Sequence, residues 1–257
     1  MTVVAGKWFV NLSPAYTQGV RLLCIPNAGG SPALFRAWAS ALPAAVGVTA
    51  VVLPGQGARV YEQPPTDVRA LAEDLCQAFG PLLNEPFALF GYSMGALIAF
   101  EVSRALLRQG LSLPLHLFVA ARRAPHVADT LPPIHALPDA DFVQAVQARY
   151  GGIPESILQD RELMALFTPV LRANFEMIET YRCAAAPPLG LPITAFGGAH
   201  DRTTSAAELR TWGSQTSGAF AAHIFEGGHF FIQQHEAAVL ALVARSLKPF
   251  LHESQWT

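Results

Sequence analysis

Short apolar runs alternate along the chain with longer segments that have the hydrophobic spacing of helices. The runs are mostly continuous rather than alternating, which is typical of parallel strands buried on both faces of a sheet. They cover residues 20–26, 46–54, 86–91, 113–121, 191–198 and 221–228. The predicted helices cover residues 32–42, 66–80, 94–109, 204–213 and 235–250. This order predicts an α/β fold, a mostly parallel central sheet flanked by helices and joined by right-handed crossovers.

One segment, residues 125–188, carries no convincing strand pattern. PDADFVQAVQARYGG predicts a helix that begins near Asp139 and stops at two glycines, and the later DRELMALFTPVLRANFEMIETYRC predicts one or two helices interrupted at Pro169. We therefore divide the chain into a core, residues 1–124 and 189–257, and a helical insertion. The insertion is either a bulky crossover or a lid over an active site. We favour the lid, because substrate-shaping parts of α/β folds lie on such connections.

Composition narrows the class of protein. The chain has 257 residues, of which 51% are hydrophobic and 14% charged, so we expect one large globular domain. A net charge of −2 without a Lys/Arg run argues against nucleic acid, and no apolar stretch approaches the ~20 residues of a membrane span. The first residues do not resemble a signal peptide. Three scattered cysteines favour neither a disulfide framework nor a zinc site, so we expect a cytoplasmic protein.

The segment FALFGYSMGALIAFE, residues 87–101, changes from an apolar strand to a helix of small residues at Gly-Tyr-Ser-Met-Gly. Gly-x-Ser-x-Gly at such a junction is the pattern of a nucleophile elbow, in which the glycines permit a sharp turn and the serine hydroxyl is exposed at the helix N-terminus. The alternative is a glycine-rich turn with a capping serine. The position at the junction favours Ser93 as a catalytic nucleophile.

A serine hydroxyl needs a base, and in the α/β-hydrolase order the acid and then the histidine follow the nucleophile. The chain has eight histidines, so position must decide between them. His229, in EGGHFF, lies after the last predicted strand and before the last predicted helix, and we predict that it is the base. His200 and His235 are weaker rivals, and His116 falls inside a predicted strand.

The acid is predicted from the loop FGGAHDRTT, which follows a late predicted strand at the same edge of the sheet. That loop carries Asp201. Its alternative role is to cap the next helix, and Asp160 and Asp129 in the insertion are rival acids. We predict Asp201 as the partner of His229, because Ser93, Asp201 and His229 then have the required order and each follows a strand.

A serine hydrolase also needs backbone donors for the oxyanion of its tetrahedral intermediate. The N–H group after the nucleophile, that of Met94, is the first predicted donor. The second is predicted from IPNAGGS, residues 25–31, where a glycine pair lets the chain turn an N–H group into the site and Ala28 has the matching position. A phosphate-binding loop is the rival interpretation, but the GxxxxGK[ST] frame is missing.

Together these motifs resemble the type II thioesterases of polyketide and nonribosomal peptide synthesis, which are stand-alone α/β-hydrolases. The similarity extends over nearly the whole chain through IPNAGGSPALFRAW, LPGQGAR, FALFGYSMGALIAFE, AARRAP, LRANFEMIETY, FGGAHD and FEGGHFF. The resemblance implies an editing role, in which the enzyme hydrolyses unwanted acyl groups from the phosphopantetheine arm of a carrier protein. It also implies that residues 125–188 form a helical lid over an acyl chamber.

Carried over by position, the resemblance implies the same assignments as the residues themselves. Ser93 matches the nucleophile, His229 the base and Asp201 its partner, and Ala28 and Met94 match the oxyanion-hole donors. The implied mechanism is acylation of Ser93 followed by hydrolysis of the acyl-Ser93 ester, and it requires no metal and no organic cofactor. The expected partners are acyl or peptidyl carrier proteins, bound transiently through the phosphopantetheine arm, with neither nucleic acid nor a membrane involved.

Four positions depart from the family's usual pattern. Tyr92 replaces a histidine that is common before the nucleophile, and Asn27 replaces another frequent histidine. Gln56 stands where arginine is frequent, although Arg59 is near, and Asn174 stands where LRADF is usual. All four leave the predicted triad intact, so we expect them to affect substrate preference and the polarity of the pocket.

Three alternatives share parts of this pattern. A small-molecule carboxylesterase or lipase would use the same triad on simple esters. A chain-releasing thioesterase excised from a synthase would cyclise its product, although the predicted fold starts close to residue 1 without a long tether, which favours a stand-alone editor. A non-catalytic carrier-binding protein would be inert toward activated acyl esters.

Overall fold

A computed structural model describes residues 6–251, so the outermost residues of the predicted core, 1–5 and 252–257, lie outside the described part. One seven-stranded sheet has the order β1-β3-β2-β4-β5-β6-β7. Its strands are β1 (Phe9–Asn11), β2 (Val20–Ile25), β3 (Val46–Val51), β4 (Phe87–Tyr92), β5 (Leu117–Ala120), β6 (Ile193–Gly198) and β7 (Phe220–Phe225). Strand β1 pairs antiparallel with β3, and every other pair is parallel. The predicted mostly parallel sheet is confirmed.

Eight α-helices accompany this sheet in the described residues. They are α1 (Trp38–Ala41), α2 (Val68–Phe79), α3 (Met94–Arg108), α4 (Asp139–Arg149), α5 (Glu155–Leu158), α6 (Arg161–Thr180), α7 (Ala206–Arg210) and α8 (Glu236–Leu247). Helices α2 and α3 pack on one face of the sheet, and α1 and α8 on the other. Among residues 6–251, no helix combines the length and the apolar character needed to cross a membrane.

Burial on both faces explains why the strand sequences are continuous apolar runs. In β2, Leu23 and Ile25 join the cluster under α2 and α3, whereas Leu22 and Cys24 join the cluster under α1 and α8. All six residues of β4 are buried. Because successive side chains of a strand point to opposite faces, a strand covered on both sides needs an apolar residue at each position.

Some element bounds differ from the prediction for local reasons. The predicted strand 113–121 is shortened to β5. Pro114 has no N–H group for a ladder, although the Leu115 N–H still donates to the Phe87 carbonyl of β4 at 2.8 Å. The predicted helix 32–42 is a 3₁₀ turn at Pro32–Phe35 followed by the short α1. Strand β1 was not predicted, since it is three residues long and only Phe9 of the three is buried.

Residues 125–188, all of them described, contain α4, α5 and α6 and no strand. Helix α6 runs unbroken through Pro169, where an interruption was expected. Pro169 itself is exposed, while Thr168, Val170 and Leu171 around it are buried and fix the neighbouring turns. The segment also has an apolar cluster of its own, formed by Ile134, Phe142, Val146, Ile153, Leu171 and Phe175.

Candidate active site

Ser93 occupies a strained turn between β4 and α3. Its φ of 54° and ψ of −110° fall outside the common regions for a residue with a side chain. The glycines on either side are required by close backbone approach, because a Cβ at Gly91 would stand 2.2 Å from the Gly95 carbonyl oxygen and one at Gly95 would stand 2.1 Å from that of Ile25. The predicted glycine-serine-glycine junction therefore has the geometry of a nucleophile elbow.

The structure brings the three predicted triad residues into one hydrogen-bonded chain. His229 Nε2 lies 2.9 Å from Ser93 Oγ, and His229 Nδ1 lies 2.8 Å from Asp201 Oδ2. A carboxylate only accepts hydrogen bonds, so Nδ1 carries the proton and Nε2 offers a lone pair to the serine hydroxyl. Ser93 and His229 are both buried, at 7% and 6% exposure, which limits competition from water.

Asp201 is held as an anion in this chain. Its Oδ1 accepts hydrogen bonds from the backbone N–H and the hydroxyl of Thr203, both at 2.8 Å, while Oδ2 faces His229. Burial raises the pKa of Asp201, but the hydrogen bonds and the charge of its partners outweigh that effect, and the net shift is downward. Ser205, rather than Asp201, caps α7.

Tyr92, the residue before Ser93, contacts the loop that carries His229. Its hydroxyl donates to the backbone carbonyl of His229 at 2.5 Å, and the tyrosine is fully buried. This bond ties the loop after β7 to the end of β4, where Ser93 is located. The sequence showed Tyr92 as a departure from the usual pattern but not this contact, which joins residues 137 positions apart.

The rival histidines are engaged elsewhere. His116 is buried with Nε2 2.8 Å from the hydroxyl of Thr194, and burial lowers its pKa to about 4. His200 pairs with the exposed Glu226 at 3.0 Å. His235 lies at the start of α8. Among the described residues, the serine hydroxyl at the elbow contacts His229 and none of these three.

The rival acids have local roles. Asp160 caps α6, accepting hydrogen bonds from two backbone N–H groups of its first turn. Asp129 forms an ion pair with Arg123 at 3.1 Å. Neither contacts His229, so Asp201 is the carboxylate that the structure places beside His229.

The loop after β2 lines the same cavity as Ser93, and side chains hold it in place. The N–H group of Gly29 donates to Oδ1 of Asn174 on α6 at 3.0 Å, and Asn27 Nδ2 donates to the Ala28 carbonyl at 3.1 Å. Asn174 is fully buried, and its Nδ2 has no hydrogen-bond partner within the part of the chain that the structure describes. Sequence reasoning treated Asn174 as a substitution in a helix and missed this contact with the loop of Ala28.

Two cavities meet at the candidate triad. The first, of about 550 Å³, has largely apolar walls. The helical insertion, residues 125–188 and below called the helical segment, contributes Leu163, Leu166, Phe167, Val170, Leu171 and Phe175. The second, of about 470 Å³, is lined partly by polar residues that include Arg122, Arg123, Asp129, Glu179 and Arg182. Ser93 and His229 line both cavities. A substrate whose reactive carbonyl lies at Ser93 thus has space on two sides.

Comparison with known proteins gives consistent matches. The sequence pattern of the thioesterase domain family matches residues 20–247. The gramicidin S biosynthesis protein GrsT of Aneurinibacillus migulanus is 36% identical over 94% of this chain and 94% of its own length. Thioesterase PikA5 of Streptomyces venezuelae is 36% identical over 92% of this chain and 84% of its own.

Solved structures agree with these sequence matches. The type II thioesterase BorB from the borrelidin biosynthetic cluster superposes with a TM-score of 0.85 at 36% identity, covering 93% of this chain and 97% of that one. YbtT, a type II thioesterase from the yersiniabactin pathway, has a TM-score of 0.85 at 29% identity, covering 95% and 100%. The predicted α/β-hydrolase fold is confirmed by this likeness.

Proposed function

Because the chain belongs to the thioesterase domain family, as the sequence motifs predicted, we propose that it is a type II thioesterase of polyketide or nonribosomal peptide synthesis. Relatives with that description match over nearly their whole length. The observation that carries the chemistry is the hydrogen-bonded chain Ser93–His229–Asp201 at the junction of two cavities. Its proposed substrates are acyl thioesters on the phosphopantetheine arm of carrier proteins, and its proposed role is editing.

In the first half of the proposed reaction, Ser93 attacks the thioester carbonyl while His229 Nε2 takes the hydroxyl proton. The new C–O bond forms a tetrahedral oxyanion, for which the backbone N–H groups of Met94 and Ala28 are the proposed donors. The C–S bond then breaks, and His229 returns the proton to the departing pantetheine sulfur. Asp201 keeps Nδ1 protonated and stabilises the imidazolium.

In the second half, water attacks the acyl-Ser93 ester on the same face. His229 now removes a proton from the water, and the same two N–H groups bind the second oxyanion. The bond between the acyl carbon and Ser93 Oγ then breaks, and His229 returns its proton to Oγ, which releases the free acid and restores the serine hydroxyl. The nucleophile, the base and the hydrogen-bond donors of this cycle all belong to the chain, and water and the thioester are the reactants, so the proposed mechanism needs no cofactor.

We assign residues 125–188 as the lid of the acyl chamber and the rest of the described chain as the hydrolase core. Support comes from this segment's apolar residues, on α6 and before it, which form much of the wall of the larger cavity, and from the separate apolar cluster of the segment. An acyl group bound there is removed from water, which favours hydrolysis of the intermediate by one positioned water molecule. The free cysteines, two of them buried, suit a reducing cytoplasm.

The test compares substrates that share one acyl group. Butyryl attached to a holo carrier protein should be hydrolysed with a far higher kcat/KM than ethyl butyrate, with the Ser93→Ala variant as the control for background hydrolysis. A faster reaction with the simple ester would favour a carboxylesterase. Carrier binding without turnover of either substrate would favour a non-catalytic binding protein.

A further inference from the structure

Two adjacent arginines at the carboxyl end of β5 have opposite surroundings. Arg123 forms ion pairs with Asp129 at 3.1 Å and with Glu208 at 3.6 Å, and it also donates to the backbone carbonyls of Ala128 and Thr203. Its buried charge is therefore compensated. Arg123 joins the loop after β5 to the loop that carries Asp201, which is a structural role.

Arg122 has no such compensation. Among the described residues its guanidinium forms no ion pair, and its buried Nε has no hydrogen-bond acceptor. The side chain is partly exposed, and it lines both cavities together with Ser93, Tyr150, Ile178 and His229. An uncompensated cation therefore faces the space that a bound substrate would occupy.

The backbone holds Arg122 in this position. Ala121, immediately before it, has a φ of 54°, the one positive φ besides that of Ser93 among the described residues other than glycine. The Ala121 N–H donates to the Phe196 carbonyl at 2.8 Å, and the Arg122 carbonyl accepts from the indole N–H of Trp212 at 2.7 Å. Strained residues of this kind cluster at functional sites, and this one directs the arginine toward the cavities.

An unpaired guanidinium in a partly dry cavity costs free energy, because water is displaced and no protein acceptor replaces it. Burial lowers the pKa of Arg122, and the neighbouring Arg123 also acts in that direction, although Tyr150 and Asp129 oppose it. Arginine still keeps its proton at neutral pH. A substrate oxygen that accepts hydrogen bonds from this cation would remove the free-energy cost of the unpaired guanidinium. A substrate with such an oxygen would therefore bind more tightly than one without it.

We propose that Arg122 is a specificity-determining residue that donates hydrogen bonds to an oxygen substituent on the acyl group, close to the thioester carbonyl. This inference rests on the proposed thioesterase function. Tyr92 and Ala120 are paired across β4 and β5, so the strand ends place Arg122 next to the nucleophile. The pantetheine phosphate lies at the far end of the arm from the thioester. Hydroxy-, keto- or carboxy-acyl groups are therefore the chemical class that Arg122 selects over hydrocarbon acyl groups.

The experiment uses matched thioesters of N-acetylcysteamine, which lacks the phosphate. The wild-type enzyme should hydrolyse 3-hydroxybutyryl with a kcat/KM about tenfold or more above that for butyryl, as expected for a hydrogen bond to a charged donor. Arg122→Gln should reduce this ratio to about one, and Arg122→Lys should restore part of it. Arg182→Gln, which removes a charge from the wall of the second cavity, should leave the ratio unchanged.

Stability is the second readout. Because Arg122 has no side-chain partners to lose, Arg122→Gln should keep or raise the Tm, whereas Arg123→Gln should lower it. A wild-type preference for butyryl, or an unchanged ratio in Arg122→Gln, would overturn the proposal. The same two acyl groups are also tested as phosphopantetheine thioesters. If Arg122→Gln slowed both of these equally but neither N-acetylcysteamine thioester, the contact of Arg122 would be with the arm, and the proposal would also be overturned.

Failure of the proposed function gives a different result. The same two acyl groups are therefore also tested as p-nitrophenyl esters. Wild-type enzyme that hydrolysed no thioester but preferred the 3-hydroxybutyryl aryl ester, with that preference lost in Arg122→Gln, would refute the thioesterase assignment and support the role of Arg122. Inertness toward both substrate types would contradict both proposals.

Discussion

The two walls of the larger cavity are built differently. On the sheet side, Ser93 and His229 line the cavity at one edge of the sheet, and hydrogen bonds of 2.8 to 2.9 Å connect them to each other and to Asp201 behind them. On the helical side, the wall is apolar, and Leu163 and Leu166 are 43% and 57% exposed there. Hydrogen bonds connect the polar groups of the first wall, whereas the second presents mainly apolar side chains to the cavity. The chemistry should therefore be sensitive to single atoms on the sheet side. It should be more tolerant of changes at the apolar side chains of the helical side that line the cavity.

A few polar contacts join the helical segment to the core. Asn174 accepts from the Gly29 N–H, and the Tyr181 hydroxyl donates to Glu101 at 2.6 Å. The first contact matters most for the chemistry, because Gly29 follows Ala28, a proposed oxyanion donor. The position of α6 and the geometry of the Ala28 loop are thereby linked through one side chain.

Removal of the Ser93 hydroxyl should cause the largest loss of activity. Ser93→Ala should lower kcat on the order of 10⁴-fold or more, because the covalent route is lost. The Tm should stay near the wild-type value, since the hydroxyl is removed without creating a large cavity. Steady-state hydrolysis and thermal unfolding check this pair of results, and near-native turnover would show that Ser93 is not the nucleophile.

The substitution Asp201→Asn should cause the next largest loss of activity. An amide can donate to Nδ1 and favour the wrong imidazole tautomer, so kcat should fall about 10³- to 10⁴-fold with little change in substrate binding. Asp160→Asn is the matched control on the helical side, where loss of a capping charge should leave kcat within a few-fold. A larger loss from Asp160→Asn would move the acid into the helical segment.

Asn174 tests the link between the two walls. Asn174→Leu leaves the Gly29 N–H without its acceptor, and kcat should fall about 10- to 100-fold. Asn174→Asp keeps an acceptor oxygen and should recover most of kcat, with KM close to wild type in both variants. If kcat fell equally in Asn174→Leu and Asn174→Asp, and each fall matched a fall in Tm, Asn174 would have a purely structural role.

Tyr92→Phe removes one hydroxyl from the sheet side. Loss of its bond to the His229 carbonyl should lower kcat several-fold, in line with about 1 kcal/mol for one hydrogen bond. The ring still fills the core, so the fold should be retained. An unchanged kcat would show that the base loop is positioned without Tyr92.

The smallest expected effect on catalysis is on the helical side. Leu166→Ser should change the relative kcat/KM for long and short acyl groups about threefold to tenfold, because one apolar contact is lost, and should leave turnover of acetyl nearly unchanged. Leu107→Ser is the matched control, since Leu107 is similarly exposed on α3 and does not line the cavity. Equal effects of the two substitutions would contradict a role for Leu166 in acyl preference.

Most of the sheet could be predicted from the sequence because burial on both faces gives continuous apolar runs. The elbow and the loops of Asp201 and His229 were predictable because short motifs mark where parallel strands end at one edge. The continuity of α6 through Pro169 could not be predicted, because packing around Thr168 and Leu171 offsets the local effect of the proline.

The supporting contacts were not predictable for a different reason. Tyr92 with His229 and Asn174 with Gly29 join residues more than 130 positions apart, and the residue types alone do not indicate the partner. The contrast between Arg122 and Arg123 was equally hidden, because both are arginines in one motif. Only the loop geometry shows that one is paired and the other faces the cavities.

The most direct test of the account is the covalent intermediate. Enzyme mixed with butyryl-loaded carrier protein is quenched in acid within milliseconds, digested and examined by mass spectrometry. The account predicts the added mass of one butyryl group on the peptide that contains Ser93, and no such adduct in Ser93→Ala. Butyryl on Cys183, which lines the second cavity, or turnover without any adduct on Ser93 in wild-type enzyme, would contradict it.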